Sequence, residues 1–113
     1  MVNLFQEHIE EIQALFRKYK MRKVWLFGSA LSQDEFGESS DIDLLYEPNK
    51  DQMSIREFLD FPLLLKKDIE HLLGRKVDLI RNLPFRNPYF QAEIDQTKIL
   101  IFDHAQRSEE IPV

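Results

Sequence analysis

Asp41 and Asp43 stand two residues apart at the end of a segment that runs FGSALSQDEFGESSDIDLLYE from Phe27. In an extended strand, residues i and i+2 point to one face, so both carboxylates project together while Ile42 and Leu44 point the other way. Two carboxylates on one face repel unless something positive lies between them. A hard divalent cation held by one or two carboxylates and by substrate phosphates meets that need. At the start of the segment, Gly28-Ser29 follows the apolar run Val24-Trp25-Leu26-Phe27. A Gly-Ser turn after a strand can offer a hydroxyl and backbone N–H groups to phosphate. A third carboxylate, Asp78, lies in Lys76-Val77-Asp78-Leu79-Ile80 with the same alternation against apolar neighbours. If its strand neighbours that of Asp43, three carboxylates converge, enough to hold one or two Mg²⁺ ions for in-line attack on phosphorus.

These residues resemble the signature of the DNA polymerase beta-type nucleotidyltransferases, specifically the small standalone minimal nucleotidyltransferase domains. The signature is a Gly-Ser, a spacer of around ten residues, then Asp-x-Asp; here it is Gly28-Ser29 followed by Ser40-Asp41-Ile42-Asp43-Leu44. Leu73-Gly74-Arg75-Lys76-Val77-Asp78-Leu79-Ile80 resembles the third-carboxylate strand, and Asn87-Pro88-Tyr89-Phe90 and Ile99-Leu100-Ile101-Phe102 continue the likeness. It covers residues 23–102. Two departures stand out. The spacer, residues 30–40, is slightly longer than the commonest form, and the positions where many members carry an Arg hold Leu31 and Ser32. Arg22, Lys23, Arg81 and Arg86 are left as candidate triphosphate contacts.

The resemblance implies an α/β, two-layer nucleotidyltransferase fold, with a small mixed sheet of about four strands and the carboxylates at an open edge. It implies ATP as nucleotide substrate, held at Gly28, Ser29 and Ser40, with Mg²⁺ on Asp41, Asp43 and Asp78. Asp78 would also orient or deprotonate the attacking hydroxyl. The implied partner is a small helical HEPN-type protein. The implied role is a type VII-like antitoxin that adenylylates a tyrosine on that toxin. Two alternatives are carried beside it: a catalytically inactive module that masks a toxin, and a nucleic-acid-tailing enzyme.

The elements that must position these residues are legible in the pattern. Leu4, Phe5, Ile9, Ile12, Leu15, Phe16 and Tyr19 follow a helical period, predicting a helix over residues 4–20 with Asn3 as N-cap. Strands are expected over residues 24–27, 41–47, 76–80 and 98–102. A helical turn at residues 30–32 would aim N–H groups at phosphate. Ser54-Ile55-Arg56-Glu57 reads as a capping box, with a break or kink expected at Pro62 and a stop at Gly74. His71, near that end, reads as a surface or dipole-complementing residue. Asn87-Pro88 should open a short helix. Residues 1–103 read as one domain and residues 104–113 as a mobile tail.

Composition narrows the class. The 113 residues are 43% hydrophobic and 31% charged, as in one soluble globular domain. No apolar run approaches a membrane span, and residues 1–7 do not resemble a secretory signal. There is no Cys, which removes disulfides, thiolate metal sites and Cys nucleophiles and fits a cytoplasmic location. The formal net charge is −5, and basic residues cluster only at residues 17–23, at a predicted helix end. A nucleic-acid backbone is therefore a poor substrate, and a protein or small-molecule acceptor a better one.

Overall fold

The structure is a computed structural model and describes residues 1–32, 35–37 and 40–105. The expectation of a mobile tail falls largely on residues outside that set.

Four runs with alternating apolar residues build one sheet. They are β1 (Met21–Phe27), β2 (Ile42–Pro48), β3 (Val77–Arg81) and β4 (Ile99–Asp103), in the order β3-β2-β1-β4. β1 is antiparallel to both β2 and β4, whereas β2 and β3 are parallel. A parallel pair needs a crossover, and the helix α3 (Ile55–Leu73) supplies it. The α/β mixed sheet expected from the resemblance is thus the observed architecture.

The two faces of the sheet are unlike. Val24, Leu26, Ile42, Leu44 and Val77 are fully buried and face α1 (Asn3–Glu7), α2 (Ile9–Lys18) and α3. Side chains on the opposite face, Trp25, Phe27, Leu45 and Ile80, form a second, smaller cluster with Ile94 and Phe85. Ile94 belongs to α4 (Pro88–Thr97), so α4 covers part of the other face. Consecutive Leu44 and Leu45 are both buried because β2 is central and covered on both sides.

Local signals account for the helices. Ser54 Oγ accepts from the Glu57 N–H at 3.1 Å and Glu57 returns a bond to the Ser54 N–H at 3.1 Å, completing the capping box. Gly74 ends α3 at φ 67°, a conformation that favours glycine. Asn87 accepts from the N–H groups of Tyr89 and Phe90, with Pro88 in the first turn of α4.

Two expectations are corrected. The first helix is split at His8, which leaves helical geometry at φ −113°, and the helix begins with Val2 at the N-cap position instead of Asn3. α3 runs unbroken through Pro62; Phe61, Leu65, Ile69 and Leu73 are buried along one face, and that burial outweighs the hydrogen bond Pro62 cannot donate. The basic run at residues 17–23 begins at a helix end as expected: Arg17 and Lys18 lie in the last turn of α2, Lys20 then turns the chain at φ 60°, and β1 starts with Met21 in the core.

Candidate active site

The parallel register places Asp43 of β2 directly beside Asp78 of β3. Strand alternation turns both away from Leu44 and Leu79, which face the helices. The Asp78 carboxyl lies within hydrogen-bonding reach of Asp43. On the other side, β1 pairs Phe27 with Asp43, so the chain leaves β1 at Gly28 right against this carboxylate. Gly28 adopts φ +77°, and a β-carbon there would meet Asp43 Oδ2 at 2.6 Å. Glycine is required at this position on both counts.

Gly28 and Ser29 open a short 3-10 turn, Gly28–Leu31, which begins two residues before the helical turn expected at residues 30–32. The turn is braced from behind. The Met1 ammonium donates to the Leu31 carbonyl at 2.7 Å, and the Val2 N–H donates to the Ala30 carbonyl at 3.0 Å. The buried side of the turn is thereby satisfied, and its Gly28-Ser29 end borders a cleft of about 610 Å³ together with Asp43.

The electrostatics are those of crowded carboxylates. Asp43 is pushed up to about 6, first by burial and then by the negative charges of Asp78 and Asp41. Asp41 stands just before β2 and adds its charge to that repulsion. Among the described residues, no group of three His, Cys, Asp or Glu side chains is placed to hold a metal ion. Of the three expected carboxylates, Asp43 and Asp78 are paired across β2 and β3, and Asp41 adds its negative charge from just before β2. The donor set still suits a hard divalent cation: all oxygen, negatively charged, and strained by its own repulsion.

Ser40 has a different setting from the one its motif position implied. Its Oγ accepts from the Gly37 N–H at 3.0 Å, and its carbonyl accepts from Arg75 at 2.8 Å. Arg75 also binds the Gly37 carbonyl and lies 4.2 Å from the centre of the Phe36 ring. Ser40 thus closes the loop leading into β2, and Arg75 ties that loop to the β3 side.

Two features were invisible in the sequence. The cleft wall facing Gly28 and Ser29 is α4, with Phe90, Glu93, Ile94 and Thr97. No local pattern announced this, because α4 reaches the cleft only by packing on Leu45 and Phe27. The candidate cations also sort out. Lys23 pairs with Glu47, four residues along the strands from the Phe27–Asp43 pair, about 13 Å away. Arg22 lies farther still. Arg81 sits over the Phe58 ring on the helix face of the sheet, opposite the carboxylates. None of these three borders the Gly28-Ser29 cleft, and Arg86 borders a separate hollow beyond α4.

Residues 10–107 match the family described as polymerase beta, nucleotidyltransferase. The chain belongs to the polymerase beta nucleotidyltransferase family. Relatives of this nucleotidyltransferase domain include two proteins of Methanocaldococcus jannaschii. "Putative protein adenylyltransferase MJ1379" is 36% identical over 85 residues, covering 74% of this chain and 80% of the relative. "Putative protein adenylyltransferase MJ1217" is 37% identical over 90 residues, covering 77% and 83%. Among solved structures, one described as a "putative minimal nucleotidyltransferase" superposes with a TM-score of 0.63 at 24% identity, covering 87% of this chain and 95% of that one. A toxin-antitoxin structure with AMP-PNP gives 0.60 at 20% identity, covering 90% and 78%. The complex of a tri-AMPylated Shewanella oneidensis HEPN toxin with its MNT antitoxin gives 0.56 at 20% identity, covering 93% and 77%. These structures share the fold of the nucleotidyltransferase domain. No helix among its described residues is long and apolar enough to cross a membrane.

Proposed function

We propose that this domain is a Mg²⁺-dependent protein adenylyltransferase that moves AMP from ATP to a tyrosine hydroxyl of a HEPN-type partner, as an antitoxin does. The observation that carries the reading is the Asp43–Asp78 register beside the Gly28-Ser29 turn. A carboxylate pair next to a turn able to hold phosphate is the arrangement phosphoryl chemistry needs. The names of the Methanocaldococcus relatives support protein adenylylation, and the AMPylated toxin complex supports the partner class.

In this reading the distal phosphates rest on the Ser29 hydroxyl and the N–H groups of the turn. Asp41, Asp43 and Asp78 would hold Mg²⁺, which supplies charge neutralisation on the triphosphate when bound. Asp78, exposed at the sheet edge, orients the acceptor hydroxyl and takes its proton. The hydroxyl oxygen bonds to the α-phosphorus, the bond to the bridging oxygen breaks, and pyrophosphate leaves. The α4 wall lines the cleft opposite the turn.

The test is a labelling experiment with Mg²⁺ and the cognate partner. Label at the α-phosphate should appear on the partner, and label at the γ-phosphate should not. Asp43→Ala should reduce transfer by a hundredfold or more, on the order of the loss of several kcal/mol of charge stabilisation. Label arriving from the γ-position would make the protein a kinase. No transfer by wild type, with partner binding intact, would make it the inactive masking module.

A further inference from the structure

The cleft beside the Gly28-Ser29 turn is itself negative. Glu35, Asp43 and Glu93 line it, and among the described residues no Lys, Arg or His does. The loop positions outside the described residues are Gln33, Asp34, Glu38 and Ser39, so the loop's sequence holds no cation either. Arg75, which reaches this loop, is taken up by the Gly37 and Ser40 carbonyls. Glu35 and Glu93 are exposed, and the carboxylate of neither takes a hydrogen bond or ion pair among the described residues. Glu35 follows the turn in sequence, and Glu93 belongs to α4. A triphosphate entering here meets like charge, which opposes binding unless a cation lies between.

We propose that the cleft is completed in trans: an arginine of the acceptor protein enters it, held by Glu35 and Glu93, and neutralises the distal phosphates. The inference rests on the nucleotidyltransfer reading given above. When the acceptor oxygen bonds to the α-phosphorus, its proton passes to Asp78. The electron pair of the breaking bond passes to the bridging oxygen of the departing pyrophosphate. Negative charge thus grows in a cleft that Glu35 and Glu93 already make negative. An arginine supplied by a second protein is worth about 10³–10⁵ in kcat where charge develops on transferring phosphates. The acceptor is the natural source, because its hydroxyl must come to Asp78 in every turnover. Arginine suits the place better than lysine, since its planar fork can meet a carboxylate and a phosphate together. Glu35 and Glu93 then have opposite effects in two states. They repel nucleotide in the chain alone, and they hold the cation that attracts nucleotide in the complex.

The test is calorimetry with ATP blocked by a methylene at the α–β bridge, on the full chain alone and with its cognate partner. The partner should tighten binding of this analogue about fivefold or more, within the usual range of coupling between sites. It should leave AMP binding unchanged, since AMP lacks the distal phosphates. Glu93→Gln should tighten the analogue on the chain alone and shrink the partner's effect, a reversal that a merely structural residue would not produce. Ser32→Arg places a cation beside the turn while Leu31 keeps its packing on the core. It should tighten the analogue on the chain alone and leave the partner little to add, whereas Ser32→Gln should not tighten it. One arginine of the partner, replaced by Gln, should abolish the coupling while the two proteins still bind. Equal affinity with and without the partner would overturn the proposal, as would weaker binding by Glu93→Gln alone. A tenfold loss in Lys76→Gln or Arg107→Gln, measured on the chain alone, would place the cation in this chain and overturn it too. Transfer of α-label by wild type without any coupling would sink the trans arginine and leave the adenylyltransferase reading standing. Coupling without transfer would do the reverse.

Discussion

The side chain of Asp43 lies against the backbone of Gly28, so that a β-carbon at position 28 would stand 2.6 Å from Oδ2. This close approach joins the Gly28-Ser29 turn to the carboxylate pair, although the two are separated by a loop in sequence.

Gly28→Ala should therefore damage both at once. The left-handed φ of +77° is strained for any residue with a β-carbon, and the carboxylate must also move. A stability loss of about 1–3 kcal/mol is expected. The thermal shift produced by Mg²⁺ and ATP should vanish in this variant. Ser29→Ala should keep most of that shift, since backbone donors remain at the turn. A full ligand-induced shift in Gly28→Ala would refute the role given to this contact.

Asp43 sets a pH dependence. Its folded-state pKa is raised to about 6, above the ordinary carboxylate value, so the folded protein binds a proton that the unfolded chain releases. Asp43 thus costs no stability below the ordinary carboxylate range, and the cost grows as pH rises from there through about 6. In chelator, Asp43→Asn should melt higher than wild type at pH 7, and the difference should close near pH 4. With Mg²⁺ the trend reverses. Ion binding needs the ionised pair, so stabilisation by Mg²⁺ should fade as pH drops below about 6. Equal melting of the two proteins at pH 7 in chelator would remove the assigned repulsion.

Arg75 holds the loop before β2 through the carbonyls of Gly37 and Ser40 and the face of Phe36. Arg75→Ala should cost about 1–3 kcal/mol in lost charge-assisted bonds and ring contact. Cleavage of the loop by a nonspecific protease should quicken, and calorimetry should show weaker ATP binding. Lysine should rescue poorly, since it lacks the planar fork that reaches two carbonyls while stacking. Unchanged proteolysis in Arg75→Ala would show that the loop is held by other contacts.

Pro62 sits inside α3 and denies the helix one hydrogen bond. Pro62→Ala should restore a donor toward the Phe58 carbonyl and raise stability by about 1 kcal/mol or more in chemical denaturation. A loss of stability instead would mean that the proline ring packs better than the helix bond it replaces.

Much of this protein is written locally. Alternation at Ile42-Asp43-Leu44 and Val77-Asp78-Leu79 assigned each carboxylate to the face opposite the helices, because a strand's side-chain direction depends only on parity. The capping box at Ser54, the stop at Gly74 and the start at Asn87-Pro88 were equally readable, since each signal acts within a few residues. Tertiary structure alone decided the rest. Whether Asp78 neighbours Asp43 depends on strand order and register, set by the α3 crossover and the burial of Leu44 and Val77. That α4 walls the cleft, that Arg75 ties down Ser40, and that Arg22, Lys23 and Arg81 lie away from the Gly28-Ser29 turn follow from packing between segments distant in sequence. The continuity of α3 through Pro62 has the same origin: burial of Phe61 and Leu65 against the sheet outweighs a local preference to break. Parity and capping are properties of a few adjacent residues, whereas a site assembled from β1, β2, β3 and α4 exists only once those elements have found one another.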